Sequence, residues 1–147
     1  MKIKNNWLND ELLLFLEQKF KHQVPHFYCE QSFKGGSYLY ASNFNDNDTL
    51  INYLAFKLQR FLQIKLVFNR IYINVQHPGM DGSFHIDSGS DLTALYMVCG
   101  EGDFEIENEC IIPFEKNKLI VFNSNLVHKG HAPKKGMRIT LAFKINT

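Results

Sequence analysis

The feature that most constrains this chain is a succession of short apolar segments after residue 63, separated by turns and without a helix between them. The segments are rich in β-branched and aromatic residues, which favours strands, and Gly, Pro, Asn and Asp punctuate them. Candidate strands span residues 65–76, 84–87, 92–98, 103–107, 109–112, 118–123 and 138–145. Several short strands at close intervals predict an antiparallel sandwich or barrel.

The first 62 residues have a different character, because two stretches carry apolar residues at helical spacing. We predict helices over residues 9–21 and 48–62, with Asn9 or Asp10 capping the first. Leu14 and Phe15 widen the apolar stripe of the first helix, so we expect that helix to be largely buried. Residues 22–45 are rich in turn residues, with short strands around Phe27 and residues 38–40. The predicted class is therefore mainly β with N-terminal helices.

Length and composition limit the function. The 147 residues suit a single domain, with residues 1–62 as a helical support region and residues 63–147 as the β core. The formal net charge is +1, so no basic excess suggests a nucleic acid or an anionic membrane as partner. The 3 cysteines are widely spaced and odd in number, which favours free thiols in a reducing compartment. No signal peptide or membrane-length apolar run is evident, so we expect a cytoplasmic protein of undetermined oligomeric state.

Two potential metal ligands stand two residues apart at His85 and Asp87. On an extended strand, side chains at this spacing share one face, so an imidazole and a carboxylate can converge on one ion. The pair alone is a weak signal. A second imidazole follows at His128, just past an apolar strand, with Arg138 ten positions later. His131 competes with His128 for the role of distal ligand, but the spacing to Arg138 favours His128.

The last predicted strand alternates in character. Met137, Ile139, Leu141 and Phe143 form an apolar face suited to packing on the helices, while Arg138, Thr140, Ala142 and Lys144 form the other face. This second face suits the interior of a half-open barrel that holds a polar ligand. An arginine facing such an interior needs an anion, because a buried unpaired guanidinium is costly, and a carboxylate fits its planar fork. Two His and one carboxylate also form the facial triad of non-haem Fe(II) oxygenases.

Taken together, these motifs resemble those of the 2-oxoglutarate/Fe(II)-dependent dioxygenases, especially the compact prolyl-hydroxylase-like branch. The resemblance covers roughly residues 65–147, and residues 6–12 are similar to the opening helix of that branch. It depends on the order of the segments 72–79, 85–87, 100–104 and 118–122, then His128 and the segment 136–138. It implies a double-stranded β-helix core, of the jelly-roll or cupin-like kind, buttressed by two or more helices.

The resemblance also implies roles for individual residues. His85, Asp87 and His128 correspond to the iron ligands, and Arg138 to the basic residue that pairs with the distal carboxylate of 2-oxoglutarate. Thr140 would add a hydroxyl near that carboxylate. The implied cofactors are Fe(II), 2-oxoglutarate and O2, with ascorbate as a candidate reductant. The implied reaction hydroxylates an unactivated C–H bond and releases succinate and CO2.

One position departs from the family pattern. The family usually carries a Tyr on the strand before His-x-Asp that also touches the co-substrate. Here Gln76 and His77 stand just before the turn, and Tyr72 lies farther upstream. His77 and Tyr72 are candidate co-substrate contacts, and Gln76 and Tyr96 remain open alternatives.

The substrate is less constrained than the chemistry. Nucleobase-repair dioxygenases carry a second Arg a few residues beyond the first, and Arg138 is the last Arg of this chain, so nucleic acid is not expected. The resemblance suggests a peptidyl residue, proline among them, and a small molecule stays open. Residues 31–45 and 79–83 are candidate mobile lids. The alternative functions are a non-catalytic module that binds a metal or small ligand, and a purely structural β-sandwich.

Overall fold

A computed structural model describes residues 1–31 and 34–147, except the side chains of residues 29 and 30. The elements in chain order are β1 (Lys2–Lys4), α1 (Asp10–His22), β2 (Phe27–Gln31), β3 (Tyr38–Asn43), α2 (Thr49–Leu62), β4 (Val67–Gln76), β5 (Leu92–Cys99), β6 (Phe104–Ile106), β7 (Cys110–Ile112), β8 (Lys118–Asn123), β9 (His128–Gly130) and β10 (Arg138–Asn146). Within the described part, no helix is long and apolar enough to cross a membrane. Cys99 and Cys110 are free thiols, whereas the Cys29 side chain lies outside the described residues.

Both predicted helices are confirmed, and so is the predicted cap of the first at Asn9. The Asn9 side chain accepts from the backbone N–H of Leu12 at 2.8 Å, and the Asp48 side chain accepts from Ile51 at 3.0 Å. Such caps satisfy backbone donors that the first helical turn leaves without partners. The apolar faces are buried against the sheet through residues such as Leu16, Phe20, Ile51, Leu54 and Leu58.

The expectation that α1 is largely buried is wrong. Leu14 is 58% exposed and Phe15 is 53% exposed. The reason is the helical period of 3.6 residues, which places Leu14 about 200° around the helix from the fully buried Leu16. The buried stripe of α1 is therefore narrow, and its outer face keeps two large apolar side chains in solvent.

The strands form two antiparallel sheets. The major sheet has 7 strands in the order β1-β8-β5-β10-β4-β3-β2, and the minor sheet has 3 strands in the order β7-β6-β9. The helices pack on the outer face of the major sheet. A second apolar cluster joins the inner face of the major sheet to the minor sheet, with Leu95, Phe104, Ile106, Phe122 and Ala142 among its members. The cavity described below lies between the two sheets.

The central strand β10 has the two faces that the sequence predicts. Ile139, Leu141 and Phe143 are fully buried in the helix-side core, and the alternate residues, from Arg138 to Lys144, line the inter-sheet cavity. β10 pairs with β4 on one side and β5 on the other, and each pairing contains one shift of register. Residues of the core and of the cavity therefore alternate along one strand held on both edges.

Three differences from the predicted elements affect the site. The first 62 residues add β1 to the major sheet, in addition to the two helices and to β2 and β3, which match the short strands predicted around Phe27 and residues 38–40. β9 was not predicted, although its first residue is His128. The strand predicted over residues 84–87 is reduced to an isolated bridge between His85 and His128, because Asp87 donates its N–H to Ser124 and the chain turns at Gly89.

Candidate metal centre

Two imidazoles and one carboxylate meet at the inter-sheet cavity. The isolated bridge brings His85 and His128 together through reciprocal backbone hydrogen bonds of 3.1 and 2.9 Å. The Asp87 carboxylate lies between the rings, with Oδ1 3.4 Å from His85 Nε2 and Oδ2 3.4 Å from His128 Nε2. One ligand atom from each of the three residues falls within 4.8 Å of the others, close enough to share one metal ion. The site thus depends on pairing between segments 43 residues apart.

Backbone carbonyls orient both imidazoles. His85 Nδ1 lies 2.8 Å from the carbonyl oxygen of Ser83, and His128 Nδ1 lies 2.7 Å from that of Leu126. A carbonyl can only accept, so each Nδ1 donates its N–H. In the neutral ring, the Nε2 lone pair is then left to face the Asp87 side. Metal-binding histidines are typically held in this way, and the donor set suits a divalent transition metal such as Fe(II).

Asp87 is held as a carboxylate. The residue is only 8% exposed, and its Oδ2 accepts from Thr93 Oγ1 at 2.6 Å and pairs with the ammonium of Lys144. Burial alone would raise the pKa of Asp87, but contacts with His128 and His85 and the charge of Lys144 outweigh it and hold the pKa well below its usual range. The ligand is therefore ionised at neutral pH before any metal arrives.

Arg138 reaches the same cavity from β10 and is only 2% exposed. Its Nε donates to the carbonyl of Gly102 at 2.9 Å, and its Nη1 donates to Gln76 Oε1 at 2.7 Å. Burial lowers the pKa of Arg138 to about 10, with the Asp103 carboxylate opposing the shift. The guanidinium is therefore a fixed cation at neutral pH.

Two buried polar atoms in this region have no partner among the described residues: Arg138 Nη2 and Thr140 Oγ1. Both residues line the cavity of about 420 Å³ that also contains the triad. Buried donors without partners are costly, so these atoms indicate where a bound ligand supplies oxygen atoms. A carboxylate satisfies both, since it accepts from a guanidinium and from a hydroxyl. These residues fit 2-oxoglutarate, whose second carboxylate lies beside a keto group that can bind a metal.

Four residues were candidates for the additional co-substrate contact, and the structure places only some of them at the cavity. Tyr72 and Gln76 line the cavity, and Gln76 is the residue that holds Arg138. His77 is not among the described lining residues, and its ring stands edge-on to Tyr40 with centroids 5.5 Å apart. Tyr96 is buried in the helix-side core, where its hydroxyl donates to Asn117 Oδ1 at 3.0 Å.

His131, the competing distal ligand, lies apart from the triad. Its Nε2 contacts Glu105 Oε2 at 2.6 Å. The structure therefore brings His128, and not His131, beside His85 and Asp87.

Sequence reasoning did not predict the contacts that three side chains of the site make. Gln76 fixes Arg138, and Thr93 and Lys144 contact the carboxylate of Asp87. A signal existed for Lys144, because it belongs to the same alternating face of the last strand as Arg138. No sequence signal pointed to Thr93, because its role depends on the position of β5 relative to the chain segment that carries Asp87.

The comparisons with known proteins agree on the fold. No protein-family model and no curated protein sequence matches the chain. Among solved structures, a collagen prolyl hydroxylase of Paramecium bursaria Chlorella virus-1, in complex with 2-oxoglutarate, superposes with a TM-score of 0.76 at 16% identity and covers 98% of this chain and 94% of its own. A Trichoplax adhaerens prolyl hydroxylase, in complex with a peptide of hypoxia inducible factor, has a TM-score of 0.70 at 13% identity, over 99% and 82% of the two chains.

The same fold also occurs in proteins described with other activities. A predicted oxalate decarboxylase of Thermotoga maritima superposes with a TM-score of 0.60 at 15% identity, over 85% of this chain and 95% of its own. At such identities the superpositions establish the architecture, and function has to be argued from the site. The chain has the double-stranded β-helix fold, of the jelly-roll or cupin-like kind, that 2-oxoglutarate/Fe(II) oxygenases use.

Proposed function

We propose that this protein is an Fe(II)- and 2-oxoglutarate-dependent dioxygenase that hydroxylates an unactivated C–H bond and releases succinate and CO2. The observation that carries the proposal is the composition of one cavity. It contains a His-Asp-His triad that can hold a metal and, beside it, the unpartnered donors of Arg138 and Thr140. A metal site alone would not need a buried guanidinium, and a carboxylate site alone would not need the triad.

His85, Asp87 and His128 would hold the iron, and Arg138 with Thr140 would hold the distal carboxylate of 2-oxoglutarate. When bound, iron and 2-oxoglutarate supply the oxidation, in which O2 gives one oxygen atom to succinate and one to the substrate. The chain itself supplies geometry. Two backbone carbonyls fix the imidazoles, and Gln76 and Gly102 fix the guanidinium.

Apolar side chains along part of the cavity are the other contribution of the chain. Leu95, Phe104, Phe122 and Ala142 place apolar surface along the cavity, and each is less than a tenth exposed. Burial of Arg138 strengthens its pairing with a carboxylate, because the local dielectric constant is lower than that of water.

A prolyl or other residue of a polypeptide is the first substrate candidate. Structural neighbours include a collagen prolyl hydroxylase and a prolyl hydroxylase with a bound peptide, and the net charge of +1 gives no preference for a polyanion. The two candidate lids meet at Ser37 and Ser83, where the Ser37 N–H donates to Ser83 Oγ at 2.9 Å. Residues 32 and 33 of the first candidate lid lie outside the described residues.

The test begins with binding. Under anaerobic conditions, the protein loaded with Fe(II) should show an absorption change on addition of 2-oxoglutarate, and in air it should form succinate. The variant His85→Ala should lose both, while the matched variant His131→Ala should keep both. Metal binding without 2-oxoglutarate binding or succinate formation would instead support a non-catalytic binding module. Absence of metal binding would support the remaining alternative, a purely structural β-sandwich.

A further inference from the structure

The two carboxylate oxygens of Asp87 have different surroundings. Oδ2 accepts from Thr93 Oγ1 at 2.6 Å and pairs with the ammonium of Lys144. Oδ1 lies 3.4 Å from His85 Nε2, and within the described part of the chain no hydroxyl, amide or ammonium group donates to it. The protein therefore engages one oxygen of this ligand and leaves the other free for a metal.

The register of the major sheet produces this arrangement. Lys144 of β10 pairs with Thr93 of β5, and residues directly opposite each other on antiparallel strands share one face of the sheet. Because the Thr93 hydroxyl donates to Asp87, its contact of 3.0 Å with Ser124 Oγ is one in which Thr93 accepts. The Asp87 N–H in turn donates to the Ser124 carbonyl at 2.8 Å. Paired strands and a closed chain of hydrogen bonds thus fix the carboxylate beside the ammonium.

The ion pair between Lys144 and Asp87 is sheltered from solvent. The Lys144 side chain is 13% exposed and that of Asp87 is 5% exposed. Charges on a protein surface are screened by water and salt, whereas a buried charge acts at a lower effective dielectric constant. The charge of Lys144 is therefore felt at a metal bound to Asp87 with little screening.

A fixed cation beside a metal ligand acts unequally on two oxidation states of the metal. Repulsion between the cation and a metal ion grows with the charge of that ion, so a trivalent ion is disfavoured more than a divalent one. Lys144 can exert this effect without displacing the metal, because the ammonium holds Oδ2 while Oδ1 stays free. Groups that contact a ligand in this way are known to change the reduction potential of a metal.

We propose that Lys144 is a positioning residue that holds Asp87 through Oδ2 and, by its charge, favours Fe(II) over Fe(III) at the triad. This inference rests on the proposed function, which requires Fe(II), and assigns a role to a residue that binds neither the metal nor 2-oxoglutarate. The step that Lys144 disfavours is transfer of one electron from Fe(II) to O2, which gives Fe(III) and superoxide and breaks no bond of the protein.

A purely structural role for Lys144 has a different consequence. If Lys144 only keeps Asp87 in place, its removal weakens the binding of Fe(II) and Fe(III) by the same factor, and the potential of the couple stays unchanged. If its charge acts on the metal, removal strengthens the binding of Fe(III) relative to Fe(II), and the potential falls. Thr93→Val provides the comparison, because it removes a support of the same oxygen without removing a charge.

The experiment measures the midpoint potential of iron-loaded protein without 2-oxoglutarate or substrate. The protein is equilibrated with redox mediators under argon, and Fe(III) is followed by electron paramagnetic resonance. Lys144→Met and Lys144→Gln remove the charge, so the test does not depend on a single variant folding, and Lys144→Arg keeps it. The exposed Lys65→Met is the matched control. Competition with a chelator gives the Fe(II) affinity, and thermal melts check that each variant is folded.

At a fixed potential, we expect the ratio of Fe(III) to Fe(II) to rise about tenfold or more in both neutral variants of Lys144, which corresponds to a midpoint potential lower by about 59 mV or more. The ratio should stay within about threefold of wild type in Lys144→Arg, Lys65→Met and Thr93→Val. A rise below about threefold in both neutral variants, or an equal rise in Thr93→Val, would overturn the inference and leave the proposed function intact. Failure of the wild type to bind Fe(II) would instead refute the proposed function, and the inference with it.

Discussion

Replacing Arg138 by methionine separates the co-substrate pocket from the metal site. The Arg138 side chain donates to Gly102 and Gln76, and its Nη2 has no partner among the described residues. In Arg138→Met, the distal carboxylate of 2-oxoglutarate would enter a buried pocket without its counter-charge. Breaking a buried ion pair by removing one partner costs about 3–5 kcal/mol, which corresponds to a roughly 150- to 5000-fold weaker Kd for 2-oxoglutarate.

Stability should change much less than affinity. The substitution leaves two carbonyl acceptors, those of Gly102 and Gln76, without their donor, at about 1–3 kcal/mol for each acceptor that stays dry. It also removes a cation whose pKa burial lowers to about 10, and this relief offsets part of the loss. We expect the free energy of unfolding to fall by about 2 kcal/mol or less.

The assay is calorimetric titration of 2-oxoglutarate into Mn(II)-loaded protein, with the Mn(II) affinity measured separately. Arg138→Lys should fall between wild type and Arg138→Met, because it keeps the charge but loses the planar fork. The exposed Arg60→Met serves as the matched control. An affinity for 2-oxoglutarate within about threefold of wild type, or an equal loss of Mn(II) affinity, would refute the assignment of Arg138.

Three further predictions concern the site and its supports. Thr140→Val should weaken 2-oxoglutarate binding about tenfold without lowering the melting temperature, because Oγ1 has no partner within the part of the chain that the structure describes; a lower melting temperature would show that the hydroxyl has a structural role. The pKa of Asp87 is lower in the folded than in the unfolded protein, so its stabilisation is present above about pH 4 and is lost as the pH falls below that value. Denaturant unfolding of the apoprotein should therefore show a larger loss of stability between neutral and acid pH for wild type than for Asp87→Asn, and equal losses would contradict the burial and contacts described. Gly102→Ala should destabilise by roughly 2 kcal/mol or more, because the residue has φ +109° and an added Cβ would meet the carbonyl of His131. Gly79→Ala, with φ +86° and open space around it, should cost only about 1 kcal/mol, and equal effects on thermal melts would refute the steric argument.

The parts of the fold that follow from local patterns were predictable. The helix cap at Asn9 and the alternation of β10 depend on residues near each other in sequence, and the structure has both. β9 was not visible in the sequence, because three residues are too few to show a period. β1 was missed for the same reason, and its pairing with β8 joins residues more than a hundred positions apart.

In the candidate site, too, some features follow from the local sequence and others depend on the assembled fold. His85, Asp87 and His128 could be selected by spacing and by resemblance, but their contact depends on one bridge between the loop that carries His85 and the first residue of β9. Gln76 as the partner of Arg138 follows from the register of β4 against β10, in which the two residues face each other. Register is a property of the assembled sheet, so the sequence left Gln76 as one of four alternatives.

The alternation along β10 also has a consequence for folding. A slip of one residue would turn Ile139, Leu141 and Phe143 into the cavity and Arg138 and Lys144 into the apolar layer under the helices. Such a molecule would lose its core and bury two charges at once, so it would not persist as a compact competitor. Assembly of the cavity and collapse of the core are therefore one cooperative event. Loss of ligand binding through misregistration should always appear as loss of folded protein, and never as a stable, inactive population.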